Sequence, residues 1–223
     1  MTPRDVCVVI PVLNEASGIA VAITSASGAG QIIVVDGGSS DRTLEIAQSF
    51  AHVTSLQSQP GRGCQLALGA EHCRQKVILF LHGDCRLCPG ALQRVAEAIS
   101  GGHCWGAMHQ QIEAGGIGYR LLELGNAMRV KARGIPFGDQ AMFVRVDRLQ
   151  QVGGVEPIPL MEDLRLAQRL RRHSWPVLIQ ATVIVEPRRW VKRGVVRQTA
   201  SNWLIQSLHA LGVSPERLAR IYR

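Results

Sequence analysis

Residues 31–41 read Gln-Ile-Ile-Val-Val-Asp-Gly-Gly-Ser-Ser-Asp, and this stretch decides the fold class. Residues 31–35 are apolar after Gln31 and have no polar alternation, so they predict a strand that is buried on both faces of a sheet. The strand ends at a carboxylate and two glycines, and Ser39 or Ser40 then caps a helix predicted over 41–50. A buried strand followed at once by a helix is the repeating unit of an α/β fold.

The same strand–helix alternation runs through the first hundred residues. Further strands are predicted over 6–11, 52–57 and 76–81, and further helices over 16–26, 62–73 and 89–99. This rhythm predicts an α/β fold with a mostly parallel, twisted sheet and helices on both faces. Because ligands of such sheets bind at the carboxyl ends of the strands, the residues that follow Pro11, Val35 and Leu81 are the first site candidates.

The second half of the chain is less regular. Extended segments are predicted over 104–112, 141–145 and 176–185, helices over 117–130, 161–172 and 195–223, and a loop over 134–140. The sequence contains no repeat and no clear linker. We therefore predict a single domain over 1–223, with a ligand-binding part at about 1–100 and a second part with a helical C-terminal extension at about 101–223.

The charge of the chain indicates a phosphate-rich partner. The net charge is +8, and 22 of the 25 basic residues are arginines, whose planar guanidinium suits bidentate contacts to phosphate. A nucleotide, an anionic membrane surface and a nucleic acid fit this bias, and so does a set of simply solvated arginines. Only 4% of the residues are aromatic and no binding module is recognisable, so we expect no nucleic-acid partner.

No apolar run reaches the roughly 18 residues of a membrane span, and the first residues lack the apolar core of a secretion signal. We therefore expect a cytoplasmic protein without disulfides. Cys85 and Cys88 form a CxxC pair, which can indicate zinc or redox chemistry, but no second pair with zinc-ligand spacing accompanies it. We interpret the two as small, partly buried thiols.

Polar residues follow three of the predicted strands. Asn14 and Glu15 stand at a helix entrance, where backbone amides can face a ligand. Asp36 ends the second strand, where a carboxylate can accept hydrogen bonds from a ribose or a base N–H. His82 and Asp84 are two residues apart on an extended segment, so both side chains can project to the same side. Each loop alone also fits an ordinary turn or helix cap.

Two of these positions suit a divalent cation. The carboxylate of Asp84 would hold Mg²⁺ or Mn²⁺, which keep several waters and bridge to substrate phosphates. His82 is a softer ligand and would favour Mn²⁺ if it coordinates. Glu162 and Asp163 come at the start of the helix predicted over 161–172, where the helix dipole alone would also explain two acids.

Taken together and in this order, the motifs resemble those of family 2 glycosyltransferases, which have the GT-A fold. The chain is more closely similar to a small bacterial subgroup, the radical-SAM/selenodomain-associated transferases of type 2. The resemblance covers nearly the whole chain. The family motifs are Ile10-Pro11-x-x-Asn14-Glu15, Val34-Val35-Asp36-x-Gly38-Ser39-x-Asp41, Asp84 and Glu162-Asp163, and the subgroup phrases are Gly61-Arg62, Gly138-Asp139-Gln140, Met161-Glu162-Asp163, Arg189-Trp190 and Gly212-Val213-Ser214-Pro215-Glu216-Arg217.

The resemblance implies a role for each matching position. Asp163 would be the catalytic base on the acceptor, and Asp84 with His82 would hold Mn²⁺ or Mg²⁺ and, through it, the donor diphosphate. The part at about 1–100 would bind the nucleotide and the rest the acceptor. The implied nucleotide-binding residues are Pro11, Asn14, Glu15, Asp36, Gly38, Arg62 and Gly83, and the implied acceptor region is Gly138, Asp139, Gln140 and Glu162.

The chain departs from the wider family at three points. Asp36-Gly37 stands where the family usually has Asp-Asp, and His82-x-Asp84 stands where it has Asp-x-Asp. The subgroup also tends to carry histidine there, so we interpret the metal as more weakly held or differently ligated, and the site as active. In the helix after Arg62, Ala67 and Leu68 replace the usual asparagine, so the donor contact that the family makes there does not carry over to this chain by resemblance.

The activity that the resemblance implies is inverting transfer of a sugar from a nucleotide-diphosphate sugar. Two alternatives stay open: a non-catalytic nucleotide or nucleotide-sugar binding protein, and a sugar nucleotidyltransferase. The latter would need a glycine-rich, lysine-bearing phosphate loop near the N-terminus, which residues 14–18 do not supply.

The C-terminal segment is strongly basic. From Arg188 to the end there are eight Arg or Lys residues and one acid, Glu216. A basic amphipathic helix can lie on an anionic membrane, which would suit a lipid-linked acceptor and a peripheral position at the inner face of the membrane. A helix packed on the core with a solvated basic face is the other interpretation. The predicted apolar stripe consists of Trp203, Leu204, Ile205, Leu208 and Leu211.

Overall fold

An eight-stranded sheet forms the centre of the molecule in the computed structural model, which describes residues 1–222 apart from the side chains of 189, 192, 193, 195, 196, 210 and 222. The strands are β1 (Val6–Val12), β2 (Gln31–Asp36), β3 (Val53–Gln57), β4 (Val77–Phe80), β5 (Cys85–Leu87), β6 (Trp105–Ile112), β7 (Phe143–Arg145) and β8 (Val177–Val185). The helices are α1 (Ile19–Ser25), α2 (Thr43–Gln48), α3 (Arg62–Glu71), α4 (Ala91–Ser100), α5 (Ile117–Arg133), α6 (Val146–Gln151), α7 (Glu162–Arg171), α8 (Arg188–Arg193), α9 (Val195–Ala210) and α10 (Pro215–Tyr222). The spatial order of the strands is β3-β2-β1-β4-β7-β6-β8-β5.

The first half of the chain forms the predicted parallel sheet. β1 pairs in parallel with β2 and β4, and β2 pairs in parallel with β3. Every residue of β1 is buried, because α1 packs on one face of the sheet and α3 on the other. The predicted α/β class with helices on both faces is confirmed, and its parallel strands end at one common edge.

The second half makes the sheet mixed. β7 runs antiparallel between β4 and β6, β8 is parallel to β6, and β5 is antiparallel to β8. Four of the seven strand pairs are therefore parallel, so the sheet is mostly parallel only by a narrow margin. The sequence pattern did not predict β5, α6 or α8, because three to six residues are too few to show a period.

Three predicted helix starts are too early by two residues or more. α1 begins at Ile19 rather than at residue 16, α2 at Thr43 rather than at Asp41, and α4 at Ala91 rather than at Pro89. The Asp41 carboxylate accepts hydrogen bonds from the Thr43 N–H at 3.0 Å and from the Ala16 N–H at 3.2 Å, so it joins the two helix entrances. The prediction that Ser39 or Ser40 caps α2 is wrong, because the helix start carries no side-chain cap.

The predicted C-terminal stripe does not form one face. Ile205 is buried in the second core cluster and Leu208 packs against it, whereas Trp203, Leu204 and Leu211 are exposed. Residue 223, the last of the predicted helical tail, lies outside the described residues. Within residues 1–222, no helix is both long enough and apolar enough to cross a bilayer.

Candidate active site

The loops after β1 and β2 are joined by hydrogen bonds at the carboxyl edge of the sheet. The Asn14 N–H donates to Ser39 Oγ at 2.9 Å, and the Glu15 N–H donates to Thr43 Oγ1 at 2.8 Å. Asn14 Oδ1 accepts in return from the Ser40 N–H at 2.8 Å. The N–H groups of Asn14 and Glu15 therefore bind the neighbouring loop, and a ligand at this helix entrance would have to use other backbone amides.

Asp36 shapes the second loop. It is almost fully buried, and its Oδ2 accepts the backbone N–H groups of Gly38 and Ser39 at 3.1 and 3.0 Å, while Oδ1 accepts the Ser39 hydroxyl. Gly38 has a φ of +93°, a conformation that glycine adopts without strain. The carboxylate therefore fixes a tight turn, and any contact to a nucleoside would use the remaining lone pairs of its oxygens.

The third loop and the first residue of β5 bring three potential metal ligands together. Ligand atoms of His82, Asp84 and Cys85 all lie within 4.8 Å of one another. The structure thus confirms that His82 and Asp84 project to the same side. Oxygen, nitrogen and sulfur donors at this spacing fit a divalent transition-metal ion.

Gly83, in the same loop, lies against the first loop. A Cβ at Gly83 would lie 2.9 Å from Val12 Cγ1 and 3.2 Å from Glu15 Cγ, which is closer than side chains normally pack. The absence of a side chain therefore lets the metal-ligand loop lie directly beside the loop that follows β1.

The fourth loop delivers the two acids at the start of α7. Asp163 is 12% exposed; its Oδ2 accepts the Gly138 N–H at 2.8 Å and its Oδ1 accepts the Leu164 N–H at 2.7 Å. Glu162 has no exposed side-chain surface and pairs with Arg62. Burial raises the pKa of Glu162 above its usual range, against the lowering effect of the Arg62 charge.

One cavity of about 150 Å³ brings the third and fourth loops together. Its volume is about ten times the ~15 Å³ that one water needs, so it has room for a ligand. His82, Asp84, Gly138 and Asp163 all line it. A Cβ at Gly138 would lie 2.5 Å from His82 Nε2 and 3.4 Å from Asp163 Oδ2, so Gly138 lies between these two side chains.

The predicted site residues divide between this cavity and its surroundings. The cavity is lined by Arg62, His82, Asp84, Gly138, Asp139 and Asp163. The predicted nucleotide-binding residues Pro11, Asn14, Glu15, Asp36, Gly38 and Gly83 do not line it but belong to the neighbouring strand-end loops. Glu162 and Gln140 do not line it either, because both are fully buried behind it.

Asp139 lines the cavity, whereas its neighbour Gln140 is fully buried. Asp139 Oδ2 accepts from Gln110 Nε2 at 2.6 Å, while its Oδ1 is buried without a hydrogen bond. Burial raises the pKa of Asp139, and Arg129 acts in the opposite direction. Gln140 Oε1 accepts from Arg129 Nη2 at 2.8 Å. Gln140 therefore holds the loop in place, and only Asp139 faces the cavity.

Sequence reasoning missed the C-terminal wall of the cavity. Trp190 of α8 and Gln198, Asn202, Ile205 and Gln206 of α9 line it. The recurrence of polar residues every four positions at 198, 202 and 206 was a usable signal for one helix face. Trp190 belongs to a phrase quoted in the resemblance, where it had no assigned role; the side chain of Arg189, its partner in that phrase, lies outside the described residues.

Arg188, at the start of α8, connects the C-terminal wall of the cavity to the loop after β1. Its Nη2 donates to Glu15 Oε2 at 2.6 Å and its Nη1 donates to Ser17 Oγ at 3.3 Å. The Glu186 carboxylate also lies 2.6 Å from Arg188 Nε. The C-terminal helices are thus attached to the strand-end loops by an ion pair that links positions 173 residues apart.

Backbone strain is concentrated in these loops. Among the described residues, the non-glycine positions with positive φ are Asn14, Ala141 and Met161, at +56°, +46° and +69°. Asn14 is in the first loop, Ala141 follows Gln140, and Met161 directly precedes Glu162. Residues held in such conformations cluster at functional sites, where the surrounding structure keeps them in place.

The fold and the cavity define an α/β protein with an acidic ligand site at the carboxyl edge of its sheet. The family model described as "Glycosyl transferase family 2" matches residues 7–145, so the chain belongs to the family 2 glycosyltransferases. It is 36% identical to glycosyltransferase AglJ of Haloferax volcanii over 86 residues, 37% of this chain and 28% of AglJ. It is 32% identical to glycosyltransferase AglE of the same organism over 108 residues, 43% of this chain and 36% of AglE. The matched segments thus span about a third of either relative.

Solved structures confirm the predicted fold of the GT-A type. Residues 1–349 of S. aureus TarS superpose with a TM-score of 0.63 at 13% identity, covering 100% of this chain and 69% of that chain. The structure of the same protein in complex with UDP-GlcNAc superposes with a TM-score of 0.59 at 15% identity, covering 83% of this chain and 56% of that chain.

Removing only one partner of the Arg62–Glu162 pair should destabilise the fold strongly. Arg62→Ala would leave the Glu162 carboxylate buried without its counter-charge, which should cost about 3–5 kcal/mol of unfolding free energy. Replacing both partners, by Arg62→Met with Glu162→Leu, should restore most of this loss. The measurement is the midpoint of denaturant unfolding in a double-mutant cycle.

The exposed Arg42–Glu45 pair is the matched control for this cycle. Its side chains are 75% and 65% exposed, so Arg42→Ala should cost less than about 1 kcal/mol. If Arg62→Ala costs no more than Arg42→Ala, the buried pair does not stabilise the site.

Proposed function

We propose that this glycosyltransferase moves a sugar from a nucleotide-diphosphate sugar to an acceptor hydroxyl with inversion at the anomeric carbon. The observation that carries the proposal is that Asp84 and Asp163 line the same cavity. The TarS neighbours, whose structures were solved with UDP-GlcNAc and with UDP, support a donor of this class. The donor base and the sugar are left open by the proposal.

The proposed reaction is a single displacement. The acceptor oxygen attacks the anomeric carbon as the carbon–oxygen bond to the diphosphate breaks, and Asp163 takes the acceptor proton. Two backbone N–H groups hold the Asp163 carboxylate in a fixed orientation, which keeps its oxygens aimed into the cavity. Attack on one face, once, inverts the configuration.

The negative charge of the departing diphosphate needs compensation. Asp84 and His82 would hold Mn²⁺ or Mg²⁺, which would neutralise that charge when bound. Arg62 and Arg188 supply positive charge beside the cavity and the first loop, respectively. The strand-end loops that carry Pro11, Asn14, Glu15, Asp36, Gly38 and Gly83 would hold the nucleoside. We propose that the parts at about 1–100 and 101–223 work as one domain, since β7 joins β4 to β6 in the same sheet.

A thermal-shift screen of UDP-, GDP-, dTDP- and CDP-sugars, with and without Mn²⁺, tests the donor class. A ligand at 100 times its Kd should stabilise the folded state by about 2.7 kcal/mol. Transfer or donor hydrolysis by the purified protein then separates an enzyme from a non-catalytic binding protein. If none of these sugar nucleotides raises the melting temperature, the proposed donor class is wrong.

Asp84→Ala should weaken nucleotide binding in the presence of Mn²⁺ and lower the transfer rate together, because the same carboxylate serves both. Calorimetric titration with the nucleotide, with and without Mn²⁺, measures the first effect, and initial rates measure the second. Asp147→Ala is the control, because Asp147 is an exposed acid in the first turn of α6 and does not line the cavity. An unchanged titration of Asp84→Ala with Mn²⁺ present would remove its metal role.

A lipid-linked acceptor depends on contact between the C-terminal helices α9 and α10 and a membrane. Trp203 and Leu204 are exposed on α9, which also carries exposed Arg197. Leu211 is exposed in the connection to α10, which carries exposed Arg217. Exposed apolar and basic residues on one pair of helices suit the surface of an anionic bilayer. We therefore propose peripheral contact at the inner face of the membrane.

Co-sedimentation with vesicles tests this contact. Vesicles that contain phosphatidylglycerol should bind the protein, pure phosphatidylcholine vesicles should not, and salt should release it. Trp203→Ala with Leu211→Ala should reduce binding, whereas Ile117→Ala with Leu121→Ala, at exposed apolar positions of α5, should not. Binding that is independent of anionic lipid would contradict the proposal.

A further inference from the structure

We propose that the Cys85 thiolate is a third metal ligand beside His82 and Asp84, which shifts the site away from Mg²⁺ toward Mn²⁺ and, more strongly, toward Co²⁺ and Zn²⁺. This inference rests on the metal site of the proposed function, but it does not depend on which sugar is transferred. It also changes the interpretation of Cys85 as a thiol without a metal-binding role.

The geometry of the loop places the three ligand atoms together. The Cys85 N–H donates to the His82 carbonyl oxygen at 3.1 Å, which closes a tight turn and brings the first and last residues of the turn close. The Cys85 thiol lies 3.3 Å from Asp84 Oδ1. Ligand atoms around a tetrahedral ion with bonds of about 2.0–2.3 Å are roughly 3.5 Å apart, so small side-chain movements would complete the set.

The sheet holds Cys85 in this position. Cys85 is 3% exposed and is the first residue of β5, where it pairs with Val185 in the antiparallel β5–β8 ladder. Val185, the partner in this pair, lines the cavity together with Glu186, although Cys85 itself does not line it. Backbone pairing therefore fixes the Cys85 backbone next to the cavity wall, so only the short side chain has to orient the thiol toward His82 and Asp84.

The chemistry of the donor set determines which ion it prefers. A thiolate and an imidazole are softer donors than carboxylate and water, and they favour Zn²⁺ and Co²⁺ over Mg²⁺. Three protein ligands with an open fourth position is the arrangement of catalytic zinc sites, in which the open position takes water or substrate. At this site the open position would take a donor phosphate oxygen. Binding would release the thiol proton to solvent, since only the thiolate is a ligand.

Cys88 provides a matched control three residues further along the chain. It is also a free thiol, but its Sγ accepts the Thr182 N–H at 3.2 Å, and it does not belong to the three-residue ligand group. A substitution at Cys88 therefore changes a neighbouring thiol without changing the proposed ligand set.

A titration of the full chain with Co²⁺, without nucleotide, tests the inference. The wild-type protein should develop a sulfur-to-cobalt charge-transfer band in the near ultraviolet that saturates at one equivalent. Cys88→Ser should keep the band and Cys85→Ser should lose it. The apparent preference for Co²⁺ over Mg²⁺, measured by competition, should fall at least about tenfold in Cys85→Ser.

Circular dichroism checks that Cys85→Ser is folded, and Cys85→Ala serves as a second variant if it is not. A wild-type protein without a thiolate band, or a folded Cys85 variant that keeps it, would overturn the inference. The result of this titration can be distinguished from a failure of the proposed function. A thiolate band in a protein that transfers no sugar would leave this inference standing and remove the transferase mechanism.

Discussion

Asp163→Asn should lower the rate of sugar transfer by about 10²–10⁴-fold, the range that a positioned general base typically contributes. An amide cannot accept the acceptor proton, so the chemical step loses its base. Nucleotide affinity should stay nearly unchanged, because Asp163 does not belong to the metal-ligand group and lies outside the loops after β1 and β2. The fold should survive, since the asparagine oxygen can keep one of the two backbone hydrogen bonds that Asp163 now accepts.

Initial rates with the cognate donor and acceptor, together with calorimetric nucleotide binding, measure these two effects. Asp147→Asn is the matched control, because Asp147 is also an acid in the first turn of a helix but lies outside the cavity. Asp147→Asn should leave the rate unchanged. Full activity of Asp163→Asn would refute its assignment as the base.

The sequence predicted the strands of the first half well, because their patterns are long and strong. The uninterrupted apolar runs at 6–11 and 31–35 correspond to β1 and β2 within one residue at each end. β5 could not be predicted, because three residues carry no periodicity and its pairing with β8 joins residues about a hundred positions apart. A local sequence pattern therefore identifies strands that are covered by helices adjacent in sequence. It misses strands that form only by pairing with a segment far away in sequence.

The positions that form the candidate site were easier to predict than their partners. His82, Asp84 and Asp163 were all named from the sequence, and all three line one cavity. The partner of Glu162, in contrast, is Arg62. No local sequence pattern could predict this contact, because the two residues are 100 positions apart. The polar groups of Asn14 and Asp36 likewise bind neighbouring loop atoms, because a folded loop satisfies its own buried donors and acceptors first.

The C-terminal wall of the cavity is another product of tertiary packing. Nothing in residues 188–206 indicates that the helices return to the first loop, because that return depends on the Arg188–Glu15 ion pair and on burial of Ile205. In sequence, the exposed and the buried residues of α9 are equally apolar, so both could belong to a membrane-binding helix. Apolar composition alone cannot distinguish a residue that packs on the core from one that faces solvent.

Gly138→Ala should also reduce transfer strongly, by about 10²-fold or more, because Gly138 lies between the proposed base and a proposed metal ligand. The added Cβ would lie 2.5 Å from His82 Nε2 and 3.4 Å from Asp163 Oδ2, so His82 must move. The same shift would disturb the 2.8 Å hydrogen bond from the Gly138 N–H to Asp163. A misplacement of about 1 Å in a reacting group can cost about 10²-fold in rate.

Stability measurements separate this effect from simple unfolding. Overpacking of this kind should cost about 1–3 kcal/mol, which most folded domains tolerate. Gly125→Ala in α5 is the control, because a Cβ there meets nothing within 4 Å. It should raise the unfolding free energy by up to about 1 kcal/mol through helix propensity and leave transfer unchanged. A folded Gly138→Ala protein with the wild-type rate would show that His82 and Asp163 do not need their present spacing, and the single-cavity mechanism would then have to be abandoned.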